Sequence, residues 1–331
     1  MVNIFLNKVR VWYWFVRGKL SHFQYLMYLD AMEPIKFFNR YTQKVEEEKV
    51  YGSELIHWLY NSNTGSFLSD IICRYPISQA YGFLQSTRGS SKKVDRFVQE
   101  FNINIDEYLP SNAAVSGKPY GSFNEFFIRR FKEGKRSFPE DPTKMGAFSE
   151  ARYLGWEKIT DDLEFPLKGH TMTAEAVLAR EGVSKPFIGG PMMIARLCPV
   201  DYHRYHYPDS GTTGEEYRVS GRLHSVNPIA LKYKGDTFAT NERAVSILNT
   251  ENFGKIAYVE VGATLVGKIV QSHPVSKPFN RGDEKGYFLF GGSTVVIFGE
   301  PGKWKPSEDI LSNTKDRVET YIKLGDTVAS A

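Results

Sequence analysis

The chain has 331 residues, 41% hydrophobic and 24% charged, and carries a net charge of +4. That balance is typical of a folded globular protein and excludes a disordered or collagen-like chain. Two cysteines, Cys73 and Cys198, exclude a disulfide framework and a cysteine-rich zinc site, and suit a reducing compartment.

The charge is unevenly placed. Lys8, Arg10, Arg17 and Lys19 all precede the first acidic residue, Asp30, so the rest of the chain balances to zero. Between and after these cations run "VWYWFV" (11–16) and "FQYLMYL" (23–29). No apolar run approaches the roughly 18 residues of a spanning helix, and no small-residue cleavage site marks a secretory signal. Cations interleaved with Trp and Tyr predict a segment lying among the headgroups of an anionic membrane, peripheral and on the cytoplasmic face. The plainer alternative is a helix packing its aromatics on the body of the protein. Residues 1–60 are expected to be helical, with the polar stretch "QKVEEEKVYGSE" (43–54) looping out.

In "SSKKVDRFVQEF" (90–101), Val94, Phe97, Val98 and Phe101 recur at helical spacing behind a serine. In "SFNEFFIRRF" (122–131), Ser122 and Glu125 have capping-box spacing, and Phe123, Phe126, Phe127 and Phe131 form the apolar face. "FPEDPTKMG" (138–146) reads as a loop. From about residue 147 short runs such as "RAVSILNT", "KIAYVEVGATLVGKIV" and "YFLF/TVVIF" are joined by turn-rich links, which predicts a mainly antiparallel β-domain. "KDRVETYIKLG" (315–325) predicts a last helix presenting Val318, Tyr321 and Ile322 and ending at Gly325. The fold class is therefore α+β: an N-terminal helical region (1–60), then a β-rich domain (61–331) with a C-terminal helix. Neither a repeat nor a nucleotide-binding glycine loop occurs, and no nucleic-acid partner is expected.

Two constellations carry chemistry. Gly291-Gly292-Ser293-Thr294 interrupts two strand-like runs, and its structural reading is a hairpin turn or bulge. A serine-hydrolase elbow fits poorly, because a strand rather than a helix follows. A third reading is self-cleavage: the serine hydroxyl attacks the preceding carbonyl, and elimination with loss of ammonia leaves a pyruvoyl group. The second constellation is "CPVDYHRYHYP", with Asp201, His203 and His206. It reads as a base–acid pair with an orienting carboxylate, as an incomplete metal site, or as a polar turn.

Taken together, "ARLCPVDYHRYHYP", "GRLHSVNPIAL", "KIAYVEVGATLVGKI", "RGDEKGYFLFGGSTVVIF", "SFNEFFIRRFKEGKR" and "KDRVETYIKLGD" resemble the phosphatidylserine decarboxylases over roughly residues 60–325. The resemblance implies cleavage between Gly292 and Ser293, giving a β-chain that ends at Gly292 and an α-chain, 293–331, headed by a pyruvoyl group made from Ser293. That group is the electron sink for loss of carbon dioxide, so no external cofactor or metal is implied. It also implies phosphatidylserine as substrate, His206 as the residue activating the serine, and His203, with Asp201 beside it, as the residue delivering a proton to substrate. A homodimer is left open.

One departure stands out. The family's Pro-Ala-Asp-Gly run is replaced by Phe148-Ser149-Glu150-Ala151, so Glu150 takes the place of the aspartate in an Asp–His–Ser set. Its extra methylene leaves three readings: a shifted backbone doing the same work, slow maturation, or a retuned site. Rival functions are a pyruvoyl-dependent decarboxylase of a soluble amino acid, an uncleaved lipid-binding relative, and a metal-dependent hydrolase built on Asp201, His203 and His206.

Overall fold

The computed structural model describes residues 34–49, 82–111, 118–160, 163–164, 171–231, 236–263, 268–291 and 293–331. The expected membrane segment, 1–30, and the boundary near residue 60 lie outside them. No helix among the described residues is long and apolar enough to cross a membrane.

The chain is α+β and mostly antiparallel. Strands β1 (Lys36–Asn39) and β2 (Lys44–Glu47) form a hairpin. Helix α1 (Lys92–Phe101) is followed by β3 (Tyr108–Leu109), which pairs across helix α2 (Phe123–Phe127) with β4 (Arg130–Phe131). Strands β5 (Lys144–Gly146), β6 (Ala151–Trp156), β7 (Leu163–Glu164), β8 (Thr171–Met172), β9 (Met192–Leu197), β10 (Arg204–His206) and β11 (Gly211–Val219) come next. Then follow β12 (Arg243–Thr250), β13 (Lys255–Gly262), β14 (Ile269–Gln271), β15 (Glu284–Phe288) and β16 (Ser293–Gly299). The chain closes with β17 (Lys305–Pro306), helix α3 (Glu308–Lys315), β18 (Glu319–Ile322) and β19 (Thr327–Ser330).

Nine strands make the main sheet, in the order β11-β12-β13-β16-β9-β6-β18-β1-β2. All its pairs are antiparallel except β1 with β18. The run "STVVIFG" of β16 is buried throughout, as a short continuous apolar stretch between two other strands should be. A second sheet, β10-β15-β14, joins it around one core that includes Phe148, Tyr153, Tyr205, Tyr258, Phe288 and Val296. A smaller aromatic cluster unites α1 and α2 through Val94, Phe97, Phe123, Phe126 and Phe127, and takes in Phe290.

Three expectations are corrected. The described part of the N-terminal region is strand, not helix: residues 36–47 pair as a hairpin and join the main sheet through β18. Lys44 and Glu47 are exposed there, and charge on an outermost strand blunts its tendency to recruit another chain. Phe131 leaves the α2 face, because the helix stops at Phe127 and Phe131 pairs opposite Tyr108. Finally, Tyr321 and Ile322 lie on a strand; the last helix falls earlier, at Glu308–Lys315. Both α1 and the N-cap of α2 agree with expectation, Ser122 Oγ accepting the Glu125 N–H at 3.2 Å. The Glu125 carboxylate caps differently, accepting from Gly121 N–H and Ser111 Oγ.

Candidate active site

Ser293 is the first residue of β16, not part of a turn. Its backbone lies opposite Gly262 of β13 on one side and Leu197 of β9 on the other. The side chain is fully buried, and its Oγ has no hydrogen-bond partner among the described residues; the same holds for Thr294 Oγ1. A buried hydroxyl left unpaired costs about 1–3 kcal/mol, so two in succession at the head of an otherwise apolar strand call for a chemical reason. The segment leading in is permissive: Gly291 has φ 147°, a conformation that only glycine adopts freely.

Strand β9 runs past Ser293, and the chain continues to His203, just before β10, and His206, at the end of β10. His203 is fully buried and its ring stacks on Phe127 at 3.7 Å. Because the Asp201 carbonyl can only accept, the 3.0 Å contact makes His203 Nδ1 the donor. The lone pair therefore sits on Nε2, which has no partner among the described residues. Burial pushes this imidazole down to about 3, with Arg129 adding to the effect and the Asp201 carbonyl opposing it. His203 is thus a neutral ring offering one free acceptor.

His206 is also neutral, but engaged. Its Nδ1 donates to the Gly282 carbonyl at 2.9 Å, leaving Nε2 to accept the Tyr202 hydroxyl at 3.1 Å. Burial lowers its pKa, partly offset by the Gly282 carbonyl. Its backbone N–H reaches the Phe148 carbonyl at 2.8 Å, which ties it to the strand-entry segment holding Glu150.

The carboxylates sit apart from the imidazoles. Asp201 Oδ2 accepts from Arg152 Nη1 and from the Cys198 N–H, each at 2.7 Å. Burial raises the Asp201 carboxyl to about 6 against the pull of Arg152. Only its backbone carbonyl touches His203. Glu150 is gripped by Arg136 through Nε at 2.6 Å and Nη2 at 2.9 Å, and also accepts from Tyr321 Oη and Leu324 N–H. No direct hydrogen bond joins Glu150 to His206. A stack of contacts does: Arg136 lies over the Phe131 ring, Phe131 packs on Tyr202, and Tyr202 bonds His206.

Behind Asp201, Glu48 enters from the end of the N-terminal hairpin. It bridges Arg152 at 3.0 Å and Arg196 at 2.6 Å, with Glu319 on the far side of Arg196. Burial would raise the Glu48 carboxyl, but Arg196 and Arg152 outweigh it and hold it at about 2. Asn124, Phe127, Arg129, Arg136, Arg152, Tyr202 and Glu48 are all absent from the sequence-derived site. Asn124 alone carried a signal: a polar residue inside an aromatic helix face.

The site thus holds a buried, unpaired serine hydroxyl preceded in sequence by two glycines, and two neutral imidazoles on the chain that continues from the neighbouring strand β9. Comparison with known proteins agrees with the resemblance read from the sequence. The phosphatidylserine decarboxylase family model matches residues 123–330. The chain is 38% identical over 294 residues to the phosphatidylserine decarboxylase proenzyme of Clostridium tetani, covering 89% of this chain and 97% of that one. It is 37% identical over 295 residues to the proenzyme of the same name from Clostridium kluyveri, covering 89% and 98%. Against the one from Desulfitobacterium hafniense it is 38% identical over 295 residues, covering 89% and 97%. The chain belongs to the phosphatidylserine decarboxylase family.

Proposed function

We propose that this chain is a proenzyme that cuts itself between Gly292 and Ser293, and that the two-chain product decarboxylates phosphatidylserine to phosphatidylethanolamine. The observation that carries the reading is the Ser293 hydroxyl, buried and unpartnered directly after the glycine pair. Ser293 Oγ loses its proton and bonds to the Gly292 carbonyl carbon; the C–N bond breaks and the serine nitrogen takes up the proton. Removal of the Ser293 α-proton then expels the Gly292 carboxylate. Water replaces the nitrogen, which departs as ammonia, and a pyruvoyl group remains on residue 293. That group supplies an electron sink for the substrate's departing carboxyl group.

The side chains divide the remaining work. His206 takes the Ser293 proton once Tyr202 has turned from its Nε2. His203, dry and neutral against Phe127, exchanges a proton with substrate at its free Nε2. Asp201, locked to Arg152, fixes the His203 ring through its backbone carbonyl. A dry pocket strengthens each of these interactions. The cation- and aromatic-rich stretch before Asp30 would bring the enzyme to the anionic surface where its lipid substrate resides.

The test is intact mass of wild type and Ser293→Ala. Wild type resolves into 1–292 and 293–331, while Ser293→Ala stays whole and releases no carbon dioxide from phosphatidylserine vesicles. A Ser293→Ala chain that still splits at this bond would refute the mechanism.

A further inference from the structure

Helix α2 touches both halves of the site. Phe127 stacks on His203, and the edges of Phe123 and Phe127 hold the Phe290 ring at 5.0 and 5.1 Å. Between them Asn124, itself buried, accepts the Phe290 backbone N–H on Oδ1 at 2.8 Å. Its Nδ2 donates to the Gly82 carbonyl at 3.1 Å and to Ser86 Oγ at 2.8 Å. The partners themselves fix which end is which, because an amide N–H can only donate and the Gly82 carbonyl can only accept.

Aromatic contacts hold the Phe290 side chain, and the Asn124 Oδ1 contact holds its peptide N–H. The next residue, Gly291, has no Cβ to limit rotation. On the other side Ser293 is pinned by the pairing of β16 with β13 and β9. In the chain, the proposed reacting bond thus falls between two held points, the Phe290 N–H and the strand register of Ser293. A reaction within one chain depends steeply on such tethers, since a misplacement of about 1 Å can cost on the order of a hundredfold.

We infer that Asn124 is a positioning residue for self-cleavage: its side-chain oxygen, braced through Gly82 and Ser86, holds the Phe290 amide and so fixes the backbone leading into the Gly292–Ser293 bond. The inference rests on the self-cleavage reading above. Asn124 touches no reacting atom; it acts through the peptide plane of Phe290.

Two changes remove the contact from opposite ends. Asn124→Ala deletes the acceptor, and replacing Phe290 by its α-hydroxy acid turns the N–H into an ester oxygen while keeping every side chain. Each precursor, and the double variant, is followed by intact mass over time, with melting temperature measured alongside. Each single change slows cleavage on the order of tenfold or more, and the double variant is no slower than the slower single one, because both remove one interaction. Ester-variant cleavage at the wild-type rate, or effects that multiply in the double variant, would overturn the inference. Should Asn124→Ala fail to fold, the ester variant decides alone. A wild-type chain that never splits would instead defeat the self-cleavage reading; a wild type that splits while the variants keep pace defeats only the role of Asn124.

Discussion

Arg136 grips both oxygens of Glu150, at 2.6 and 2.9 Å, and the same guanidinium reaches Glu107 at 3.0 Å. Glu150, which the resemblance sets where the family carries an aspartate, is thus a carboxylate with a cation as its main partner. Its route to His206 runs through Arg136, Phe131 and Tyr202. Glu150→Gln and Arg136→Gln should therefore slow maturation to a similar extent. Cleavage time courses by intact mass decide; wild-type rates in both variants would remove Glu150 from the working set.

The two histidines should separate by phenotype. His206→Ala is expected to persist as full-length precursor, whereas His203→Ala splits yet leaves the two-chain product unable to decarboxylate phosphatidylserine. Tyr202→Phe keeps the ring that packs on Phe131 and on His206 and so links Glu150 to the imidazole, but removes the hydroxyl from His206 Nε2. Its precursor should therefore mature at least as fast as wild type. Slower maturation of Tyr202→Phe would mean that the tyrosine aids the base instead of restraining it.

Glu48 gives a pH prediction. Its carboxyl falls from an ordinary 4.5 to about 2 on folding, because Arg196 and Arg152 outweigh the burial that would raise it. A depressed carboxyl contributes stability that is complete above its unfolded value and is lost as pH falls through its folded one. Wild-type stability should therefore drop between about pH 4.5 and 2, and Glu48→Gln should flatten that limb. At pH 7 the variant should lose about 3–5 kcal/mol, as a broken buried ion pair does. Urea denaturation at a series of pH values reads both effects, and an unchanged acid limb in Glu48→Gln would rule the pair out as its source.

Four cations and an aromatic cluster precede Asp30. A chain lacking residues 1–30 should bind anionic vesicles more weakly than the full chain, and the difference should shrink as salt screens surface charge. Co-sedimentation with vesicles at low and high salt measures it. Equal binding by both chains would move the lipid contact elsewhere.

What could be read beforehand followed local pattern. Arg243–Thr250 is a strand as its run suggested, and α1 buries Val94 and Phe97 as its spacing required. The C-terminal "RVETYI" misled because Val318, Tyr321 and Ile322 fit a helical period, while Thr320 and Ile322 also alternate into the core. Pairing with β6 and β1 settled that ambiguity, and such pairing is invisible to local propensity. Ser293, His203 and His206 were legible as parts of motifs. Their supports were not, since each works across long separations: 166 positions part Asn124 from Phe290, and 148 part Glu48 from Arg196.

Strand β16 lies inside the main sheet between β13 and β9, and β18 lies between β1 and β6. Cutting before residue 293 therefore severs the chain without releasing either piece, because the short one is woven through the long one at β16 and at β18 and pairs with it again where β19 meets β5. The same weave makes the cut a one-way step for folding. A precursor assembles this sheet within a single molecule, whereas the cut form, once unfolded, must first find its other half and then thread a central strand between two neighbours. Refolding of the precursor should be independent of protein concentration, while the two-chain form should recover poorly and lose its fold for good on heating.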